Sequence, residues 1–203
     1  MRPVWNLPLD PSGVLVELDN DTTVRIRPVR KSDRDALLSA FEHFSAESRY
    51  MRFFSPRPRL TEKMIETFTD VDDVSQLAWA VFDPNERSEV GDESGLAIAS
   101  ARLFVDEDPT SAEATLAVVD DYQRRGLGRF LIELLLNTAS LFDIEVVRFE
   151  VLYANQSMRG LLTKVGASAH TIPEDRTVVE YRLPVPGPDD IDVPMGALYS
   201  LSL

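Results

Sequence analysis

The segment Val118-Val119-Asp120-Asp121-Tyr122-Gln123-Arg124-Arg125-Gly126-Leu127-Gly128-Arg129 leaves an apolar run, turns through two glycines and enters a stretch whose leucines recur at helical spacing. A strand, a glycine turn and a helix in that order form a cradle for an anion. At Gly126 and Gly128 the missing Cβ permits backbone conformations that let successive N–H groups converge on one charge at the positive end of the helix dipole. Arg124, Arg125 and Arg129 add cationic charge. The spacing decides among phosphate loops. A triphosphate loop ends in Gly-Lys-Ser/Thr, whereas Gly128 is followed by Arg129-Phe130, and a dinucleotide fingerprint requires a third glycine where Leu131 stands. What remains is Gln-x-x-Gly-x-Gly after a strand ending Val-Val-Asp, set against the plain alternative of an ordinary strand-to-helix turn.

Upstream of this segment, Val14–Leu18 and Thr23–Val29 flank Asp19-Asn20-Asp21 and read as a hairpin. Three short helices follow. Ser32-Asp33-Arg34-Asp35 caps the first, with Leu37, Leu38 and Phe41 on one face. Ser45 opens the second, carrying Tyr50, Met51 and Phe54, and Thr61 to Phe68 spaces Met64, Ile65 and Phe68 for a third. Strands are expected at 76–82 and 96–105, separated by a polar loop expected to be mobile, and at 112–119. After the glycine turn, Leu127, Phe130, Leu131, Leu134 and Leu135 form a helical stripe. Val147, Phe149 and Val151 alternate with charge in a strand, Asn155 caps a helix ended by Gly166, and strands near 167–172 and 177–183 close the domain. The order predicts an α/β (α+β) domain, a mixed sheet with helices on both faces.

The chain of 203 residues, 44% hydrophobic, is long enough for one core, expected at 13–183 between an N-terminal extension at 1–12 and a Pro/Asp-rich tail at 184–203. It has no cysteine, so no disulfide framework and no thiol nucleophile. The start lacks the apolar run of a signal peptide and no segment approaches a membrane span, which makes a soluble cytoplasmic protein the default expectation. A net charge of -13 argues against nucleic acid as a partner. It suits a cationic partner such as a lysine side chain, or else serves solubility alone.

The Gln123-x-x-Gly126-x-Gly128 pattern after Val-Val-Asp resembles the pyrophosphate loop of the GNAT superfamily of acetyl-CoA-dependent N-acetyltransferases. Over residues 13 to 183, the segments Arg25-Ile26-Arg27-Pro28-Val29 and Phe44-Ser45-Ala46-Glu47-Ser48-Arg49-Tyr50-Met51-Arg52-Phe53-Phe54 are similar to the catalytic domain of the Pat-like protein lysine acetyltransferases of actinobacteria. The resemblance implies the GNAT fold, a mostly antiparallel sheet of six to seven strands whose central strands splay around the cofactor. It also implies acetyl-CoA as acyl donor, no metal, and a primary amine, foremost a protein lysine, as acceptor. Some members carry a cyclic-nucleotide-binding domain, which this chain has no room for. A small-molecule amine acceptor, and a non-catalytic CoA-binding module, remain as alternatives, as do monomer and homodimer.

The implied site follows the motif. Val118, Val119, Gln123, Arg124, Arg125, Gly126, Leu127, Gly128, Arg129, Asn155 and Met158 are the candidate cofactor contacts. The backbone N–H of Val118 or Val119 is the candidate oxyanion donor. Glu113, in an otherwise apolar strand, is the candidate base, needed because a free lysine has a pKa of about 10.4 and is not nucleophilic when charged; an exposed glutamate at a strand start is the competing reading. Many members place a tyrosine acid seven residues after the asparagine; here Leu162 stands there, with Tyr153 and Tyr122 as substitutes. Glu47, Ser48 and Arg49, on helices that border the acceptor site in the family, are implied acceptor-side or cofactor-tail contacts. His43 and His170 read as surface or capping residues.

Overall fold

The computed structural model describes residues 13–18, 22–55 and 58–187. One eight-stranded sheet organises it, in the order β1-β2-β3-β4-β5-β6-β8-β7. The strands are β1 (Val14–Glu17), β2 (Thr23–Pro28), β3 (Gln76–Asp83), β4 (Leu96–Val105), β5 (Ser111–Val118), β6 (Val146–Leu152), β7 (Ser168–Thr171) and β8 (Val178–Pro184). The helices are α1 (Arg34–Glu42), α2 (Ala46–Phe53), α3 (Glu62–Thr69), α4 (Leu127–Leu141) and α5 (Gln156–Lys164). Every neighbouring pair is antiparallel except β5 and β6, which α4 joins as a crossover. The count exceeds the expected six to seven because the four-residue edge strands β1 and β7 both pair. The hairpin turn at 19–21, the extension at 1–12 and nearly all of the tail lie outside the described residues.

Strand alternation sorts the two faces. Trp79 of β3 donates from Nε1 to the Thr138 hydroxyl of α4 at 3.0 Å, so one face of β3 and β4 packs under α4. The α4 stripe is as expected, with Leu127, Leu131, Leu134 and Leu135 buried in the main core and Phe130 partly so. The opposite face, carrying Ala80, Phe82, Ser100, Arg102 and Ala117, lies under α1, α2 and α3. Helices therefore cover both faces of the central strands.

Ser45 and Asn155 cap as expected, and Thr61 caps α3 as well, each accepting from a backbone N–H three residues on. The expected cap of α1 is not made. Asp33 stands at the N-cap position, but a turn of 3-10 helix at Lys31–Asp33 precedes it and its carboxylate makes no bond to the helix. It accepts instead from the fully buried Arg27, at 2.8 and 2.9 Å, and from the Arg30 N–H. A desolvated guanidinium is a stronger claimant than a neutral helical N–H, since a buried charge without a partner costs several kcal/mol. Arg27 also binds Asp92 and Ser94, so the polar 85–95 loop is anchored onto the sheet rather than free.

Candidate active site

β5 and β6 are hydrogen-bonded neighbours at three positions only, Ser111 with Val146, Ala112 with Val147 and Glu113 with Arg148. Beyond Glu113, β5 stays paired with β4 as far as Val118 and β6 with β8 as far as Leu152, so the two strands part and leave a gap between them. Val119 donates its N–H to the Ile98 carbonyl at 2.9 Å. Backbone groups of successive strand residues point to opposite edges, so the N–H groups of Leu116 and Val118 face the gap. On the other bank, the Tyr153 N–H goes to Thr177 beside β8, which turns the backbone of Glu150 and Leu152 inward. This alternation separates the two oxyanion candidates: Val119 is spent on the sheet and Val118 is not.

The loop after β5 turns the chain into α4. Arg124 and Gly126 hold positive φ of 60° and 87°. A Cβ on Gly126 would point into open space, and no side chain caps α4, whose first N–H groups therefore face outward beside that space. Gly128 plays another part than expected. It is helical, and its missing Cβ admits Leu161 of α5, whose Cδ2 would sit 2.9 Å away. Gly128→Ala should therefore shift a flexible leucine tip and leave ligand affinity within about twofold of the parent, measured by calorimetry.

The remaining loop residues divide between brace and rim. Gln123 directs its amide to the Val118 carbonyl at 3.0 Å and to the Ser48 hydroxyl at 3.2 Å, bracing the strand end instead of reaching outward. Asp120 accepts from the Ser45 N–H and from the Ser45 and Ser48 hydroxyls, tying α2 to the same point. Partial burial opposes its ionisation, yet these donors hold its pKa below the usual value. Ser48 is thus structural, Arg49 stacks over Phe41 at 4.4 Å, and Glu47 is exposed. Arg129 pairs with Glu133, and Arg125 lies over the Tyr122 ring. Leu127 is buried in the core. Across the gap, Asn155 accepts from the Met158 N–H at 3.0 Å, and Met158 packs half-buried against the core.

Glu113 sits at the vertex where pairing ends, half-buried on the face that carries Thr115 and Ala117. Burial first, then the like charges of Glu150 and Asp106, raise its pKa above the ordinary 4.5 against the pull of Arg148 and Arg52. Five residues separate it from Val118, roughly 16 Å of extended strand. The acid candidates fare unequally. Leu162 is fully buried. Tyr122 donates to Asp83, and burial together with that bond pushes its phenol up to about 12. Tyr153 is 60% exposed with Arg159 over its ring. His43 binds Glu89 on the surface and His170 meets Ser168 on β7, both away from the gap.

Sequence reasoning missed two arginines. Arg52 of α2 donates to Thr115 at 3.1 Å and Arg102 of β4 to the Phe68 carbonyl at 3.0 Å, both guanidiniums lying near the Phe68 ring. Arg102 is cross-strand from Thr115, so the two cations meet on one face of β5. Spacing within α2 or β4 carries no hint of this, because the strand register alone brings them together.

Two parallel strands that part beside a glycine-capped helix leave a slot with outward backbone N–H groups, an arrangement that suits an elongated anionic ligand. The chain belongs to the GNAT acetyltransferase family, whose domain model matches residues 23–168. It is 33% identical over 168 residues to acetyltransferase Pat of Mycolicibacterium smegmatis, covering 82% of this chain and 47% of that protein, so the chain spans about half of that relative. The GNAT domain of PAT from S. lividans superposes with a TM-score of 0.73 at 28% identity, covering 85% of this chain and 97% of that one. The structure of yncA from Salmonella typhimurium with its cofactor acetyl-CoA shares the fold, at a TM-score of 0.60 and 16% identity, covering 84% and 97%. No helix among the described residues is long and apolar enough to cross a membrane, and none of their His, Asp and Glu side chains cluster as a metal site.

Proposed function

We propose that the protein transfers the acetyl group of acetyl-CoA to a primary amine, foremost a lysine side chain of another protein, by direct attack in a ternary complex, and that it does so in the cytoplasm. The observation that carries this reading is the three-rung pairing of β5 with β6 beside the Gly126 loop, which provides a slot for the thioester arm and outward N–H groups for its phosphates. Similarity to Pat supports the lysine acceptor.

The chain's own residues supply each requirement. The N–H of Val118 faces the point where the thioester oxygen gains charge, and the Gln123 bond to the Val118 carbonyl keeps that peptide oriented. Glu113 takes a proton from the bound ammonium, and the neutral amine that results attacks the thioester. The separation of Glu113 from Val118 exceeds the reach of one side chain, so the proton passes through water ordered along the Thr115 face. With Leu162 buried, no side chain stands in the family's acid position and solvent at the gap mouth protonates the departing thiolate. Nitrogen bonds to the acetyl carbon and the carbon–sulfur bond breaks; of the two protons the nitrogen loses, one goes to Glu113 before attack and one to solvent as the tetrahedral intermediate collapses, while the thiolate takes one from solvent.

The test is calorimetry with acetyl-CoA followed by mass spectrometry of a lysine-peptide panel. Micromolar binding with acetyl-lysine formation is expected; absence of binding at millimolar ligand would overturn the proposal. Gly126→Val separates the loop from the rest. It strains a backbone at φ 87° and fills the space beside the helix N-terminus, and should weaken acetyl-CoA affinity at least tenfold. Unchanged affinity would move the phosphates elsewhere.

A further inference from the structure

Under α1, α2 and α3, on the sheet face opposite α4, lies a cavity of about 90 Å³, room for several waters or one small acid group. Its walls are mostly apolar, Phe41, Phe53, Phe68 and Phe82 among them, yet Arg52 and Arg102 line it too. Arg102 is 5% exposed, and its Nη1 is buried with no hydrogen-bond partner. Among the described residues neither arginine has a carboxylate within ion-pair distance, in a chain where acids outnumber bases 34 to 21. The one acid in the cavity wall, Asp33, is committed to Arg27. Burial, then the neighbouring Arg52 charge, pulls Arg102 down to about 9, which still leaves it charged at neutral pH. Arg102 is buried and Arg52 beside it half-buried, with Glu113 the acid whose charge reaches Arg52, so the buried Arg102 cation lacks an anion of its own and is costly unless a ligand brings one.

We propose that Arg52 and Arg102 form a carboxylate subsite of the acceptor pocket, so that the preferred acceptor carries an acid group as well as its amine. Guanidinium pairs match carboxylates in geometry and charge. The cavity also reaches the reacting end of β5, since Ala117 and Val119 line it. Arg102 is in register with Thr115, three residues before Val118, about 10 Å along the strand. An acceptor whose acid and amine are separated by a chain of several carbons spans that distance, whereas an α-amino group beside its own carboxylate does not. The acid is either that of a free ω-amino acid or that of an Asp or Glu flanking a target lysine. This inference rests on the acetyltransferase reading above.

The experiment compares kcat/KM for 6-aminohexanoate against hexylamine, and for lysine peptides with Glu against Gln at the neighbouring positions, with acetyl-CoA binding measured alongside. A preference for the acid-bearing member of about ten- to a hundredfold is expected in at least one pair. Preference in the first pair assigns a free acid, and in the second a protein. Arg102→Met should erase that ratio, with acetyl-CoA affinity as the check that the variant folds. Should it not fold, hexanoate must inhibit the unaltered protein competitively against the amine. Binding of acetyl-CoA with equal kcat/KM in both pairs, or hexanoate without competition, overturns the subsite and leaves the acetyltransferase reading intact. Failure to bind acetyl-CoA sinks that reading itself.

Discussion

Glu113→Gln should lower kcat for amine acetylation by about two to four orders of magnitude while acetyl-CoA affinity stays within a factor of two. Glutamine keeps the volume and hydrogen-bonding reach of the side chain but cannot accept a proton. In the parent, kcat/KM should fall on the acid side with an apparent pKa above the ordinary carboxylate value, because burial and the neighbouring Glu150 and Asp106 raise it. That limb should vanish in the variant. Stability distinguishes this loss from misfolding. A carboxyl whose folded pKa is raised favours folding while protonated, below the unfolded value of 4.5, and loses that contribution as pH rises through the folded pKa. At neutral pH the ionised Glu113 therefore costs stability, and the neutral glutamine should unfold no earlier than the parent. A variant with parental turnover across pH 5 to 9 would remove Glu113 from the mechanism.

Arg27→Met is expected to destabilise the fold by about 3–5 kcal/mol, read from the urea midpoint at constant m-value. Arg27 is 1% exposed, donates to Asp33 and Asp92 and lies 4.4 Å over the Phe82 ring. Methionine restores most of the packing, so the loss isolates the stranded charge of Asp33, itself 6% exposed. Adding Asp33→Leu should recover much of the stability, because it removes the buried orphan carboxylate and leaves only the more exposed Asp92, which still accepts from the Ser94 N–H. If the double variant is no better than the single, Arg27 acts through Asp92 and the loop at 85–95 instead. The gap between β5 and β6 is remote from this cluster in the sheet order, so acetyl-CoA affinity of the folded variant should be parental.

The glycine loop shows how far sequence reading extends to individual residues. Gly126 does have a left-handed backbone, as two nearby glycines after a strand imply, but Gly128 is helical and small for the sake of Leu161, a contact from a different helix. Gln123 belongs to the motif, yet its side chain braces Val118 and Ser48. Asp33 looked like a helix cap because Ser-Asp-Arg-Asp before a helix is usually one; a guanidinium six residues upstream claimed it once β2 was buried.

What the chain determined by itself is local: the order of strands and helices, the stripe on α4, the caps at Ser45 and Asn155, and the place of the glycine turn before α4, all set by side-chain periodicity and backbone freedom within a few residues. Which amide of the Val118-Val119 pair faces the gap, that β5 leaves β6 after Glu113, and that Arg52 and Arg102 share one cavity were decided only by tertiary structure. Each depends on strand register, and register is fixed by contacts between residues dozens of positions apart, where burial of one face selects the pairing.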